Sequence, residues 1–238
     1  TDYIGLGTEG PHPYLIGQPS GRAVLDSVRA ARQIDEIRLE ERTVVWGHSQ
    51  GGGAALWTGA LAGSYAPDVG VVGVAALAPA ADLVGLVDGL RDIAGGSIFA
   101  SYALDSYSAV SFARVARTCL AEPAVLVSAL QAVATDMSMF DGDPVRGPFL
   151  DRLRENVPTA PIAAPLLIAQ GAADPLVGRA VQDAYVDARC TAGQAVDYRV
   201  YDDEDHLSLV AADSPLIPDL IEWIESRFAA DPATPTCP

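Results

Sequence analysis

The sequence predicts an α/β fold in which a mainly parallel sheet of about four strands is flanked by helices. Four short apolar runs rich in β-branched residues are separated by longer segments with helical spacing, an alternation typical of a parallel sheet. The chain has 238 residues, 50% of them hydrophobic, so it is long enough to bury one substantial core. The predicted strands are 43–46, 71–77, 166–169 and 196–201.

The segments between these strands predict the helices and the domain organisation. Residues 18–39 have apolar side chains at helical spacing with arginines between them, so we expect a helix that packs on the sheet. Residues 81–160 contain no good strand and three helical runs, at 83–93, 98–116 and 124–134. We therefore expect a core made of residues 1–80 and 161–238, with residues 81–160 inserted as a helical cap.

The segment Gly47-His48-Ser49-Gln50-Gly51 matches the pattern G-x-S-x-G and lies between a predicted strand and a helix-forming stretch. That context is typical of a nucleophile elbow, a turn so tight that its serine takes a strained backbone conformation. Glycines on either side of the serine remove the Cβ atoms that would collide. Ser49 is therefore the predicted nucleophile, with an ordinary glycine-rich turn as the alternative.

A serine nucleophile needs a base, and the chain has three histidines. His206 follows the predicted strand 196–201 at its carboxyl end, where parallel sheets place their functional residues, so it is the predicted base. A surface histidine solvated among carboxylates is the alternative for His206. We expect His48 to point away from the Ser49 hydroxyl and pack beside the turn, and His12 to line the entrance of the site.

Asp174 is the predicted acid, because it follows the apolar run 165–171 and lies between Ser49 and His206 along the chain. This order of serine, acid and histidine is the one found in hydrolases with such an elbow. The carboxylate would accept the Nδ1 hydrogen of His206 and fix its tautomer. Three rival acids lie too close to His206 in sequence to reach behind it, and we expect them to be solvated: Asp202, Asp203 and Asp205.

Several stretches together resemble one known family. They are residues 2–7, 11–14, 24–30 and 47–52, with the segments around Asp174 and His206. They resemble the secretory lipase family typified by Candida antarctica lipase A, in its actinobacterial branch, within the α/β-hydrolase superfamily. The resemblance spans most of the chain and implies a carboxylic ester hydrolase with a helical cap. It also implies an oxyanion hole formed by the backbone N–H groups of Gln50 and Asp2.

The predicted function is a serine carboxylic ester hydrolase that acts on short- to medium-chain acyl esters through an acyl-enzyme, without cofactor or metal. The alternatives are an acyltransferase or serine peptidase using the same three residues, and a noncatalytic binding protein with a hydrolase fold. The family resemblance implies a secreted protein, with a cytoplasmic location as the alternative. A comparison of p-nitrophenyl ester hydrolysis by the wild type and by Ser49→Ala would distinguish a catalyst from a noncatalytic scaffold.

Charge and composition narrow the range of partners. The net charge is −16, from 31 acidic and 15 basic residues, and all the basic residues are arginine. An acidic chain without clustered cations is a poor match for nucleic acid or an anionic membrane. No stretch approaches the ~20 apolar residues of a membrane span, no signal peptide is recognisable, and no spacing resembles a zinc site. We expect a small-molecule ester as the partner.

Two expectations concern the edges of the fold. Residues 2–5 (Asp-Tyr-Ile-Gly) resemble the family's D-Y-x-G loop, which in the family follows an early central strand. Because this loop starts at the second residue here, the sheet would lack strands and would expose an apolar edge. Either the chain is a fragment of a longer precursor or a second copy covers residues 43–46, and we expect a homo-oligomer. A candidate disulfide between Cys190 and Cys237 would pin the tail 231–238, with free thiols as the alternative. Cys119 is expected to be a buried apolar residue, or to pair with a cysteine outside this chain.

Overall fold

The centre of the molecule is a parallel sheet of four strands in the order β1-β2-β3-β4. The computed structural model describes residues 1–7, 9, 12–90 and 146–237. The strands are β1 Thr43–His48, β2 Val71–Leu77, β3 Leu166–Gly171 and β4 Asp197–Tyr201. The predicted parallel sheet is therefore confirmed. β1 and β3 each run two residues further than predicted, which brings β1 up to Ser49 and β3 to the loop of Asp174.

The α-helices of the described residues lie before the first strand, between the strands and after the last strand. They are α1 Gly17–Ala31, α2 Gln50–Tyr65, α3 Leu83–Leu90, α4 Gly147–Glu155, α5 Arg179–Thr191 and α6 Leu216–Ala229. Most of the expected cap, including the predicted helices 98–116 and 124–134 and Cys119, lies outside the described residues. Of that segment the structure describes α3 and α4, which pack together through Leu83, Leu86 and Leu153.

Alternate residues of the central strands face opposite sides of the sheet, and each side is covered by helices. Val74, Ala76 and Ile168 pack in a core with residues of α2 and α5. Their strand neighbours, such as Leu77 and Leu167, pack on the other side with residues of α6, including Leu216, Leu220 and Trp223. All six residues of β3 are buried, as expected for a strand covered on both faces.

The predicted helix over residues 18–39 is too long, because α1 ends at Ala31. The side chain of Arg32 donates hydrogen bonds to the backbone carbonyls of Glu41, Asp68 and Val69 at 2.8, 2.8 and 3.0 Å. These contacts turn the chain back toward β1, so the apolar residues beyond the helix, such as Ile34, stay exposed.

The first helix packs mainly on α2 and reaches the sheet through Val24 and Leu25, which share core clusters with residues of β1 and β2. Gly17 and Gly21 let the two helices approach closely. A Cβ built on either glycine would lie within 3.0 Å of Trp57.

The two edges of the sheet differ. The start of β4 is covered by the C-terminal tail, in which Cys237 forms an antiparallel bridge with Val196 and a disulfide with Cys190. The candidate disulfide is thus present, with a sequence separation of 47 between its cysteines and with their Cα atoms 5.8 Å apart. Within the described ranges, no residue pairs with the outer edge of β1, and the Trp46 side chain on that strand is 56% exposed.

Among the residues that the structure describes, no helix combines the length and apolar character that crossing a bilayer requires.

Candidate active site

Ser49 occupies the turn between β1 and α2 in a strained backbone conformation. Its φ is 57° and its ψ is −117°, a left-handed combination that a residue with a side chain seldom adopts. Hydrogen bonds hold the turn in place: the Ser49 N–H donates to the Leu77 carbonyl at 2.9 Å, and its carbonyl accepts from Gly53 and Ala80 at 3.1 Å. The geometry is that of a nucleophile elbow.

The glycines of this turn have different roles from those expected. A Cβ on Gly47 would lie 2.3 Å from the carbonyl oxygen of Gly51, so Gly47 has no room for a side chain, as the sequence predicts. The same expectation is wrong for Gly51, where a Cβ would meet no atom closer than the Tyr3 hydroxyl, at 3.9 Å. The second crowded position is Gly52, where a Cβ would lie 2.9 Å from Pro79 at the end of β2.

The structure brings the three predicted residues, Ser49, His206 and Asp174, together in a chain of hydrogen bonds. The Ser49 hydroxyl lies 2.9 Å from Nε2 of His206, and Nδ1 of His206 lies 2.7 Å from Oδ2 of Asp174. With hydrogen on Nδ1, the ring donates to the carboxylate and accepts from the serine. The Asp174 and His206 side chains are 0% and 8% exposed, so water competes little for their contact.

Asp174 is held in its orientation by four hydrogen-bond donors. Its Oδ1 accepts from the N–H groups of Leu176 and Val177 at 2.8 and 2.9 Å. Its Oδ2 accepts from His206 and from Nε2 of Gln170, which lies 3.2 Å away. Burial alone would raise the pKa of Asp174, but the hydrogen bond and charge of His206, aided by the two N–H groups, lower the pKa below its usual range. The carboxylate therefore stays ionised at neutral pH.

The loops that carry Asp174 and His206 are joined to each other. The N–H groups of Ala172 and Ala173 donate to the carbonyls of Tyr201 and Glu204 at 2.8 and 3.0 Å. A Cβ on Gly171 would lie 2.3 Å from the Glu204 carbonyl, so the loops touch where β3 ends. The parallel strands β3 and β4 thus bring the predicted acid and the predicted base to neighbouring positions at one edge of the sheet.

The three rival acids Asp202, Asp203 and Asp205 are all exposed, as the sequence predicts. Asp205 accepts the N–H groups of Leu207 and Ser208 at 2.8 and 2.7 Å, so it shapes the loop of His206 through the backbone.

His48 packs beside the turn, as predicted, with its ring centroid 4.5 Å from that of His206. Burial, followed by the charge of His206, lowers the pKa of His48. The elbow therefore places an uncharged ring against the predicted base, His206.

The expected oxyanion donors belong to two neighbouring parts of the chain. Gln50 is the first residue of α2, where backbone N–H groups lack intrahelical partners. Asp2 is exposed in the segment 1–7, which approaches the elbow through Tyr3. The two segments are linked by His12, whose Nδ1 lies 2.9 Å from the Ile4 carbonyl and whose Nε2 lies 2.8 Å from Nε2 of Gln50.

Two features of this site escaped the sequence reasoning. Gln170, a fully buried residue at the end of β3, supports the carboxylate of Asp174, and a polar residue closing an apolar strand was the available signal. His12 was expected at the entrance, yet it is 6% exposed and bonded on both ring nitrogens. Its two partners are remote in sequence, so no local pattern indicates this role.

The parallel sheet, the elbow after β1 and the order Ser49, Asp174, His206 define the α/β-hydrolase fold with a serine–histidine–aspartate arrangement. The family model of the secretory lipases matches residues 1–140. The chain belongs to the secretory lipase family.

Known relatives of this chain include lipases from bacteria and fungi. It is 30% identical over 253 residues to "Probable inactive lipase MT1628" of Mycobacterium tuberculosis, covering 95% of this chain and 55% of the relative. It is 43% identical over 70 residues to "Secreted triacylglycerol lipase LIP5" of Malassezia furfur, covering 28% of this chain and 18% of that protein.

The X-ray structure of Candida antarctica lipase A matches 94% of this chain and 57% of its own, with a TM-score of 0.69. At 21% identity, this likeness shows the shared fold. The chain thus spans a little more than half the length of the Mycobacterium relative and of this solved lipase.

Proposed function

We propose that this chain is the catalytic part of a secreted serine carboxylic ester hydrolase that acts on short- to medium-chain acyl esters. The observation that carries the proposal is the unbroken chain of hydrogen bonds from Ser49 through His206 to Asp174, with the serine held in a strained elbow. Membership of the secretory lipase family supports ester hydrolysis as the reaction and an extracellular location.

The reaction begins when the Ser49 oxygen attacks the ester carbonyl while Nε2 of His206 takes the serine proton. The carbonyl π electrons move to oxygen, and the C–O bond of the leaving alcohol breaks as His206 returns the proton to it. Water then attacks the acyl-enzyme with His206 again as the base, releasing the acid and restoring the Ser49 hydroxyl. Asp174 stabilises the imidazolium in both steps, and its lowered pKa keeps it ionised while it does so.

The oxyanion of each tetrahedral intermediate would lie at the N-terminus of α2. There the backbone N–H of Gln50 is one proposed donor and the N–H of Asp2 is the second. Preorganised donors of this kind are typically worth 10²- to 10³-fold in kcat each, on the order of 3 kcal/mol. The position of Gln50 directly after the strained serine, as the first residue of a helix, supports its role.

The test is hydrolysis of p-nitrophenyl esters over a series of acyl lengths by the wild type, Ser49→Ala and Ser64→Ala. Ser64 lies exposed at the far end of the same helix, α2, and controls for a serine-to-alanine change as such. We expect the wild type and Ser64→Ala to be equally active, with the highest rates at short to medium acyl lengths, and Ser49→Ala to lose nearly all activity. Activity that survives Ser49→Ala would show that another group is the nucleophile.

A noncatalytic role is the second candidate, because one relative that aligns with 95% of this chain is named a probable inactive lipase. A wild type without hydrolysis at any acyl length, although folded, would favour that role. Adding an alcohol acceptor or an amide substrate to the same assay tests the acyltransferase and peptidase alternatives. Transfer or amide cleavage faster than ester hydrolysis would replace the proposed reaction.

A further inference from the structure

The imidazole of His12 is a buried titratable group that the proposed mechanism does not use. It is 6% exposed and lies between the aromatic rings of Tyr3 and Tyr14, at centroid distances of 5.9 and 6.0 Å. Both of its ring nitrogens have partners, the Ile4 carbonyl at 2.9 Å and the Gln50 side chain at 2.8 Å. A buried ring bonded on both sides has a single orientation.

The partners determine which nitrogen carries hydrogen. A backbone carbonyl can only accept, so Nδ1 of His12 carries hydrogen and donates to Ile4. In the neutral ring, Nε2 is then an acceptor, and it receives an N–H from the amide nitrogen of Gln50. His12 therefore transmits the position of the segment 1–7 to the first residue of α2.

This link connects the two parts of the chain that carry the proposed oxyanion donors. Ile4 lies two residues after Asp2, and Gln50 itself carries the other donor N–H on its backbone. Resting on the proposed function, we infer that His12 is a positioning residue that sets the distance between the two donors through the Gln50 side chain. Its hydrogen bonds align groups that act on the transition state, so its removal lowers kcat and leaves KM nearly unchanged.

Three variants separate the hydrogen bonds from the packing. His12→Phe keeps an aromatic ring between the two tyrosines and removes both bonds. His12→Gln places an amide near the position of Nε2 and keeps a partner for Gln50. Gln50→Leu removes the other side of the link and leaves the proposed backbone donor intact. Gln33→Leu, on an exposed residue after α1, is the matched control.

The experiment measures kcat and KM for p-nitrophenyl butyrate and the inhibition constant of n-butylboronic acid, which forms a tetrahedral adduct with a serine nucleophile. Losing a whole oxyanion donor typically costs 10²- to 10³-fold, so we expect misalignment in His12→Phe to lower kcat by about 10-fold. KM should change by less than about twofold, and boronate binding should weaken by the same factor as kcat falls.

Gln50→Leu should match His12→Phe, His12→Gln should recover part of the rate, and Gln33→Leu should behave as the wild type. The double variant His12→Phe/Gln50→Leu should be no worse than either single change, because both break one link.

Each opposite result overturns the inference. A folded His12→Phe with wild-type kcat and boronate affinity would show that the ring only packs. Additive losses in the double variant would show that His12 does not act through Gln50. If His12→Phe fails to fold, His12→Gln and Gln50→Leu carry the same comparison. A wild type without Ser49-dependent hydrolysis overturns the proposed function together with this inference, whereas unchanged variants of an active wild type overturn this inference alone.

Discussion

Replacing Asp174 by asparagine gives the sharpest test of the acid, because the surroundings dictate how the new amide lies. If its oxygen stays on the N–H groups of Leu176 and Val177, its NH₂ faces Nδ1 of His206 and the amide of Gln170. In that orientation Nδ1 of His206 can accept a hydrogen bond from the new NH₂ group if the ring hydrogen moves to Nε2. Only the hydrogen bond from Gln170 is then lost. The opposite orientation leaves two backbone donors unpaired, and neither of them can adapt.

A buried donor left without a partner costs ~1–3 kcal/mol. The first orientation leaves one such donor, on Gln170, and the second leaves two, so the first is favoured by about one hydrogen bond. Gln170 cannot turn over to help, because its NH₂ also contacts the carbonyls of Gly171 and Val177 at 3.0 and 2.9 Å. His206 is then held with hydrogen on Nε2, facing the Ser49 hydroxyl, where it cannot accept the serine proton. The serine-protease precedent for this wrong tautomer is a loss on the order of 10⁴ in kcat.

The assay compares kcat for p-nitrophenyl butyrate in the wild type, Asp174→Asn and Asp203→Asn at neutral pH. Asp203 is an exposed rival acid near His206 and controls for the loss of one carboxylate charge. The single lost hydrogen bond should lower the melting temperature of Asp174→Asn by about 2–12 °C, so rates are measured well below that temperature. An Asp174→Asn enzyme within about 10-fold of the wild type, or an Asp203→Asn enzyme with the larger loss, would refute the reasoning.

Three further predictions concern pH, the disulfide and the open edge. Hydrolysis should fall on acidification, because only a neutral His206 accepts the serine proton, and a profile flat from about pH 5 to 8 would contradict a histidine base. Replacing Cys190 and Cys237 by serine should destabilise the chain by about 4 kcal/mol for the 47-residue separation, and unchanged denaturant unfolding would contradict this. We propose that a second copy covers β1, so light scattering should give at least twice the chain mass and Trp46→Glu should reduce it; a stable, active wild-type monomer would contradict this.

The sequence predicts most of what local patterns can encode. The strand β2 has its predicted bounds, and the elbow occupies the predicted turn because a five-residue motif with apolar and helical flanks fully specifies its backbone. The boundaries that failed depend on distant groups. α1 ends at Ala31 because the Arg32 side chain meets carbonyls of residues up to 37 positions away, a contact that helical periodicity does not contain.

His48 shows how a residue inside a motif acquires a role from tertiary packing. Burial is the largest cause of its lowered pKa, so the unfolded chain binds a proton at this position more readily than the folded one. Its contribution to stability is complete above the ordinary histidine pKa of about 6.5 and is lost as the pH falls below that value. Acidification thus removes the part of the stability that comes from the buried, uncharged His48, so a loss of activity in acid has two physical origins, a weaker fold and the chemistry of the site. Melting temperatures of the wild type and His48→Phe between about pH 8 and 5.5 separate them, since only the wild type should lose the part of its stability that comes from His48.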